Sequence, residues 1–183
     1  MINSLYPEFQ RWSERGSVWI ISDTHFDDPD TAVMWLPPEG HLENINKFVH
    51  GGDTLIHLGD VGDPTYMDQI RAHKVLIMGN HDQSIRRFEP FFDEIYAGPL
   101  FIGKKILLSH EPVMWLPWCV NIHGHDHSGR CDDSTHVNLC ANLVGFLPFN
   151  LGWFIKGGGI ADVKDIHRYT IDFRADDAEG YQE

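Results

Sequence analysis

Five short apolar runs, each ending in polar residues that can bind a metal ion, constrain this chain more than any other feature. Apolar runs of this length that stop at turn residues are typical of buried strands. The runs and their endings are Val18–Ser22 before Asp23-Thr24-His25, Thr54–Leu58 before Gly59-Asp60, Lys74–Met78 before Gly79-Asn80-His81-Asp82, Lys105–Ser109 before His110, and Val120–His123 before Gly124-His125-Asp126-His127. Ligands of α/β sheets collect outside the carboxyl ends of the strands. If all five ends face one way, they form a single metal site.

The residue types at these ends indicate which metals would bind. Imidazole nitrogen combined with carboxylate oxygen suits manganese, iron, zinc or nickel, whereas an all-oxygen set would favour magnesium or calcium. Alternate residues leave a strand end in the same direction, so Asp23 and His25 can reach one ion. The carboxylate of Asp60 can offer one oxygen to each of two ions. The rings of His125 and His127 can share one ion or divide between two.

Counting charges connects this site to a substrate class. Two divalent ions carry four positive charges, of which Asp23 and Asp60 neutralise two and a bound hydroxide neutralises a third. The remaining positive charge would hold an anionic substrate. Two ions about 3.5–4 Å apart lower the pKa of bound water to about 7 and stabilise in-line displacement at phosphorus. The set of strand ends therefore predicts hydrolysis of a phosphoester.

Composition predicts one soluble domain. With 183 residues, 42% of them hydrophobic, the chain is long enough for one substantial core. We expect a single domain over residues 1–183, with a core of about 17–173 and an acidic tail at 176–183. Cys119, Cys131 and Cys140 form no disulfide framework, and no run has the length of a membrane span or signal peptide. These features favour a cytoplasmic protein.

The net charge of -13 bears on partners. Binding of long nucleic acid needs a positive surface, so the acidic balance disfavours it. A small phosphorylated substrate remains compatible because bound cations would reverse the charge locally. The sequence leaves the oligomeric state open.

The order of elements predicts a sheet that changes character along the chain. Predicted helices cover His41–His50, Pro64–Ala72 and Ser84–Pro90, and their alternation with strands predicts parallel strands in the first half. Short strands with tight turns predict antiparallel hairpins in the second half. These later strands are Glu94–Ala97, Phe101–Ile102, Lys105–Ser109, Val120–His123, His136–Leu139 and His167–Phe173.

Taken in order, the strand-end blocks DxH, GD, GNHD, SH and GHxH resemble the calcineurin-like metallophosphoesterase superfamily, and most of all its small bacterial or phage members. The resemblance covers residues 18–127. It implies an α/β fold, a four-layer αββα sandwich of two mixed β-sheets. It also implies two divalent transition metal ions at the carboxyl edge of the strands, with manganese first and iron, zinc or nickel as alternatives.

The same resemblance implies a role for each block. The first metal would be held by Asp23, His25 and His127, Asp60 would bridge, and the second metal would be held by Asn80, His110 and His125. His81 would protonate the leaving alkoxide, a strongly basic group that needs a general acid, and Asp82 would orient the imidazole. Asn80, His81, Arg86 and Arg130 would bind the phosphate.

Two functions follow as hypotheses. The first is hydrolysis of a phosphodiester or phosphomonoester by metal-bound hydroxide, with a diester favoured because Asp27 and Asp28 would disfavour a dianionic phosphate. The alternative is a catalytically weak or inactive member of the same fold that acts by binding proteins. Substrate choice would depend on the loops Phe26–Gly40, Glu111–Trp118 and Gly145–Phe154. The histidines away from the blocks, such as His41 and His136, are expected at the surface or at helix ends.

Overall fold

The first sheet contains five strands. A computed structural model describes residues 6–29, 34–103, 105–116 and 118–160 of the chain. The strands are β1 (Val18–Ile21), β2 (Thr54–His57), β3 (His73–Ile77), β4 (Glu94–Tyr96) and β9 (Phe149–Asn150), in the order β4-β3-β2-β1-β9. All neighbouring pairs are parallel except β1 and β9. Parallel pairing points the carboxyl ends of β1, β2 and β3 to the same edge.

A second sheet of four strands carries the remaining blocks. Its strands are β5 (Leu100–Phe101), β6 (Ile106–Leu108), β7 (Val120–His123) and β8 (His136–Asn138), in the order β5-β6-β7-β8. Only β5 and β6 form an antiparallel pair, whereas β6, β7 and β8 are parallel. The expectation of antiparallel hairpins is therefore correct for β5–β6 and wrong for the rest. Parallel pairing of β6 with β7 is what brings their two polar ends together.

In the part of the chain that the structure describes, four α-helices and one 3₁₀ helix accompany the sheets. They are α1 (Tyr6–Arg15), α2 (Pro38–Phe48), the 3₁₀ helix Pro64–Gln69, α3 (Ile85–Phe88) and α4 (Leu151–Lys156). Helix α2 begins earlier than predicted because proline is favoured in the first turn of a helix. The segment Gly145–Phe154, predicted as a loop, includes β9 and most of α4. The predicted strand His167–Phe173 and the acidic tail lie outside the described residues.

Two apolar clusters hold these layers together. One lies between the sheets and joins Ile20 and Ile56 of the first sheet to Leu108 and Ile122 of the second. The other lies on the opposite face of the first sheet, where Trp19 and its neighbours pack against helix α2 and the 3₁₀ helix. Both faces of the parallel strands are thus buried, as their continuous apolar runs indicate. The predicted α/β class with two mixed sheets is confirmed.

Two isolated backbone bridges tie the loops at the carboxyl edge. Ser22 pairs with Cys140, which links the end of β1 to the segment after β8, and Phe26 pairs with Gly62. These bridges fix loops that lie far apart in the sequence. Within the described residues, no helix is long and apolar enough to cross a bilayer.

Candidate metal centre

The five strand ends converge on one place, where their donor atoms form two adjoining sets. In the first set, Asp23 Oδ1 lies 4.0 Å from His25 Nε2 and 3.6 Å from His127 Nε2. In the second set, Asn80 Oδ1 lies 2.8 Å from His110 Nε2 and 2.9 Å from His125 Nδ1. The rings of His125 and His127 therefore belong to different sets. The sequence left open whether they share one ion or divide between two.

The carboxylate of Asp60 lies between the two sets. Its Oδ2 is 3.7 Å from His25 Nε2 and 3.3 Å from His110 Nε2, while its Oδ1 accepts the backbone N–H of His81 at 2.9 Å. One oxygen therefore faces both sets, while the other is held by the backbone. Burial opposes ionisation of this group, but hydrogen bonding to His110 and to the backbone of His81 lowers the pKa of Asp60 to about 2. The carboxylate is charged at neutral pH.

Hydrogen bonds from outside the blocks orient three of the rings. Nδ1–H of His25 donates to Asp28 at 3.0 Å, Nδ1–H of His110 donates to the carbonyl oxygen of Leu58 at 2.9 Å, and Nδ1–H of His127 donates to Asn142 at 2.8 Å. Each bond leaves the lone pair of Nε2 directed into the site. Metal-ligating histidines are commonly held in this way. Asn142 was not predicted, because its position in a loop after β8 gives no local signal.

One ring atom shows that the donor set fits a cation. Nε2 of His25 is buried without a hydrogen-bond partner among the described residues, although it faces the carboxylates of Asp23 and Asp60. A buried polar atom without a partner is costly and rare in native proteins. Three overlapping groups of histidine, carboxylate and cysteine atoms here are close enough to bind metal. Divalent ions bound among these nitrogen and oxygen atoms would satisfy that nitrogen.

Hydrogen bonds on its far side fix the carboxylate of Asp23. Oδ2 accepts from the hydroxyl of Ser22, the thiol of Cys140 and the backbone N–H of His125. Gly124 leaves room for this arrangement, since a Cβ atom there would lie 1.9 Å from Ser22 Oγ and 2.1 Å from Asp23 Oδ2. Oδ1 faces His25 and His127. Gly124 of the GHDH block thus leaves the space that Ser22 and the Asp23 carboxylate occupy.

Asp82 differs from its expected role. Its carboxylate accepts backbone N–H groups from Gly79 at 2.9 Å, Asp60 at 2.8 Å and Val61 at 3.1 Å. Among the described residues, no hydrogen bond joins it to the imidazole of His81. Asp82 therefore fixes the loop that carries Asp60 rather than the tautomer of His81.

A buried histidine of β2 supports the two loops from beneath. His57 is fully buried, its Nε2–H donates to Thr24 Oγ1 at 2.9 Å, and its Nδ1 accepts the N–H of Gly59 at 3.0 Å. The hydroxyl of Thr24 in turn donates to the carbonyl oxygen of Val61. Burial lowers the pKa of His57 to about 3, so the ring is neutral. The sequence left its role as either core packing or support of the site.

Two other histidines are buried, although positions at the surface or at helix ends were predicted for them. His41 is 3% exposed and packs against Phe26 and Phe146, and burial lowers its pKa to about 4. His136 is 6% exposed and hydrogen-bonds Asp133 and the carbonyl oxygen of Val113. The expectation failed because histidine packs well once its ring nitrogens or ring faces find partners.

His81 lies at the open side of the site. Its ring contacts that of His25 edge-on, with centroids 5.4 Å apart, and it lines a cavity of about 410 Å³ together with Asp27, Asp63 and Arg87. Arg86 instead lines a separate cavity beside Asp82, and Arg130 is exposed. The arginine that shares a cavity with His81 is therefore Arg87, which the phosphate-binding prediction omitted.

Strained backbone marks the same loops. Asp23, His25, Asp60 and His125 all have positive φ, between 41° and 66°. Residues other than glycine rarely adopt this conformation, which costs of order 1–3 kcal/mol each and concentrates at functional sites. Four such residues in one place indicate that their side-chain directions matter more than local stability.

Known proteins resemble this chain in sequence and in structure. A sequence relative, the uncharacterized protein MJ1445 of Methanocaldococcus jannaschii, is 23% identical over 167 residues, covering 76% of this chain and 89% of the relative. The crystal structure of the protein of unknown function AQ665 from Aquifex aeolicus aligns with a TM-score of 0.60 and 26% identity over 76% of this chain and 98% of that one.

A further solved structure, nuclease MPE of Pseudomonas putida, aligns with a TM-score of 0.46 and 20% identity over 63% of each chain. The model of the family described as calcineurin-like phosphoesterase matches residues 16–179. That span includes both sheets and every strand-end block. The chain therefore belongs to the calcineurin-like phosphoesterase family.

Proposed function

We propose that this protein hydrolyses a phosphoester with two divalent transition metal ions bound at the strand ends. Asp23, His25 and His127 would hold one ion, Asn80, His110 and His125 would hold the other, and Asp60 would contribute to both sites. The observation that carries the proposal is the buried Nε2 of His25, which has no partner of its own and faces two carboxylates. The ions would supply an activated water and positive charge for the phosphate. Manganese is the first expectation, with iron, zinc or nickel as alternatives.

The protein's own residues would bind the substrate and move its proton. His81 stands at the mouth of the site, exposed to solvent and in edge contact with the His25 ring. From there its imidazole would donate a proton to the leaving oxygen, which otherwise departs as a strong base. Arg87, in the same cavity, would hold a phosphate oxygen by a charged hydrogen bond.

The charge around His81 supports a diester substrate. Asp27, Asp28 and Asp63 line the cavity beside His81. Among the described residues that line this cavity, Arg87 is the one arginine or lysine. Asp28 also accepts a hydrogen bond from His25. A second negative charge on the phosphate would meet these carboxylates at close range, so we propose a phosphodiester rather than a monoester.

Metal content and turnover measured together test this proposal. We expect about two transition metal ions per chain by elemental analysis, and faster hydrolysis of a bis-aryl phosphodiester than of an aryl monoester. His81→Ala should keep both ions and lose most turnover, whereas Asp60→Asn should lose metal. His50→Ala, which alters an exposed histidine away from the site, is the matched control. Zero or one ion per chain, or equal turnover in all variants, would contradict the proposal.

The alternative, a weakly active or inactive scaffold that binds proteins, predicts a different result. In a scaffold the ligands and the proton donor are free to be lost, yet the seven proposed metal ligands and the proposed proton donor His81 are all present in this chain. Metal-loaded protein that leaves both aryl substrates intact would favour the scaffold.

A further inference from the structure

A cavity of about 320 Å³, here called the apolar cavity, adjoins the second set of ligands. Its lining includes Asn80 and His110, whose side chains lie 2.8 Å apart in that set. The apolar residues of its lining are Ile77 and Met78 at the end of β3, Ala97 and Pro99 after β4, and Pro112 and Val113 after β6. Small-molecule sites in proteins are commonly concave, of about 300–1,000 Å³, and apolar with a few polar groups. The apolar cavity has this size and character.

Two consecutive residues face two different cavities. His81 lines the cavity of about 410 Å³ that it shares with three aspartates and Arg87, here called the acidic cavity, whereas Asn80 lines the apolar cavity. Glu111 is the one carboxylate among the described residues that line the apolar cavity, and it is exposed to solvent. The two sides of the candidate metal centre therefore differ in chemistry. Such a site can distinguish the two ester groups of a phosphodiester.

Hydrogen bonds fix the wall of the apolar cavity that follows β6. The hydroxyl of Ser109 donates to the carbonyl oxygen of Glu111 at 2.6 Å. The N–H of Val113 donates to Asn121 Oδ1 at 2.7 Å, and its carbonyl oxygen accepts from His136 Nε2 at 3.2 Å. Both Asn121 and His136 are buried. Because the wall is already held in place, a ligand does not bear the entropic cost of ordering it.

The chemistry of a diester assigns different places to its two ester groups. In the proposed hydrolysis, water attacks phosphorus, the bond to the leaving oxygen breaks, and His81 gives that oxygen a proton. The other ester bond stays intact, so the product is the phosphomonoester of the retained group. Since His81 lines the acidic cavity, the leaving group lies on that side. The retained group needs a place beside phosphorus and away from the line of attack, and the apolar cavity adjoins the second set of ligands.

We propose that the apolar cavity binds the retained ester group, so that the substrate is an asymmetric phosphodiester whose retained group is apolar. The inference rests on the metal site and the proton donor of the proposed function. Apolar walls stabilise a group whose apolar surface they remove from water. A charged retained group would lose its hydration in this cavity without an opposite charge to replace it.

Two phosphodiesters with the same leaving group test this assignment in the full-length, metal-loaded protein. Both release para-nitrophenolate, and they differ in the retained group, which is methyl in one and phenyl in the other. We expect kcat/KM to be at least tenfold higher for the phenyl diester, mainly through a lower KM, because the larger apolar surface is buried. Greater intrinsic reactivity of the phenyl diester would raise kcat instead. Equal KM values, or release of phenol in place of para-nitrophenol, would overturn the proposal.

A substitution that fills the apolar cavity should remove the preference. Ala97 is exposed at the rim of the chain and lines the cavity, so Ala97→Leu should lower the ratio of phenyl to methyl kcat/KM. Ser13→Leu, which adds the same side chain to an exposed position of helix α1, is the matched control and should keep the ratio. An unchanged ratio in Ala97→Leu would count against the cavity.

Product inhibition gives an answer that needs no substitution. The retained group stays on the product, so phenyl phosphate should inhibit the wild type at least tenfold more strongly than methyl phosphate. If metal-dependent hydrolysis occurs but the two monoesters inhibit equally, the cavity assignment fails and the proposed function stands. If the metal-loaded protein hydrolyses neither diester, both fail.

Discussion

Replacing His57 by phenylalanine tests whether a buried neutral imidazole fixes the two loops that carry Asp23 and Asp60. The substitution keeps an aromatic ring packed near Phe92, but it removes the acceptor for the N–H of Gly59 and the donor to Thr24. A buried N–H group left without an acceptor costs about 1–3 kcal/mol. We expect the free energy of unfolding at pH 7 to fall by at least that amount.

The pH dependence gives a sharper number. The pKa of His57 is about 3 in the folded protein against 6.5 ordinarily, so below pH 6.5 the unfolded state binds a proton that the folded state does not. The contribution of His57 to the free energy of unfolding is therefore fully present above pH 6.5, and it is lost as the pH falls toward the pKa of the folded state. Each pH unit is worth about 1.4 kcal/mol, so at pH 5 the wild type has lost about 2 kcal/mol through His57.

The His57→Phe variant has no imidazole at this position, so it does not lose this free energy of unfolding on acidification. The difference in unfolding free energy between the wild type and His57→Phe should therefore shrink by about 2 kcal/mol from pH 7 to pH 5. His41, whose pKa is also lowered by burial, contributes equally to both proteins and cancels. Asp60 adds little here because its carboxylate titrates below about pH 4 in both the folded and unfolded states.

Urea denaturation of metal-free protein across this pH range measures the effect. Phe92→Leu is the control, since it alters the ring beside His57 without changing a titrating group, and its cost should not depend on pH. A difference between wild type and His57→Phe that stays constant or grows on acidification would refute the reasoning, because the imidazole would then be charged in the folded state.

Two more substitutions test the supports of the ligands. Gly124→Ala should lower the affinity for the first metal at least tenfold, because the new Cβ would lie 2.1 Å from Asp23 Oδ2. Isothermal titration calorimetry measures this affinity. The control Gly98→Ala, which has open space around its Cβ, should bind metal as the wild type does. Asn142→Ala should lower the affinity for the same metal about 10–100-fold, because it removes the hydrogen bond that orients the ring of His127. Thermal stability should change little. Unchanged metal affinity would mean that other contacts hold the ring.

The local sequence predicted the strands of the first sheet and the residues at their ends. The apolar runs before Asp23, Asp60 and Asn80 predicted buried parallel strands, because a strand covered on both faces needs apolar side chains throughout. Their polar endings predicted one shared site, because parallel strands deliver their carboxyl ends to one edge. The second sheet was harder to predict. Its strands are short, and a run such as Ile106–Leu108 does not encode the direction of its neighbour.

The sequence by itself determined which donor atoms lie at the strand ends, since that requires only strand periodicity and the chemistry of each residue. Tertiary structure alone decided how those atoms are oriented and supported. The carboxylate of Asp82 accepts hydrogen bonds from the backbone of Asp60 and Val61. Asn142 and Cys140, which follow the last block in the sequence, hydrogen-bond His127 and Asp23. Such contacts join residues far apart along the chain, and their geometry depends on how the two sheets pack, which no local pattern records.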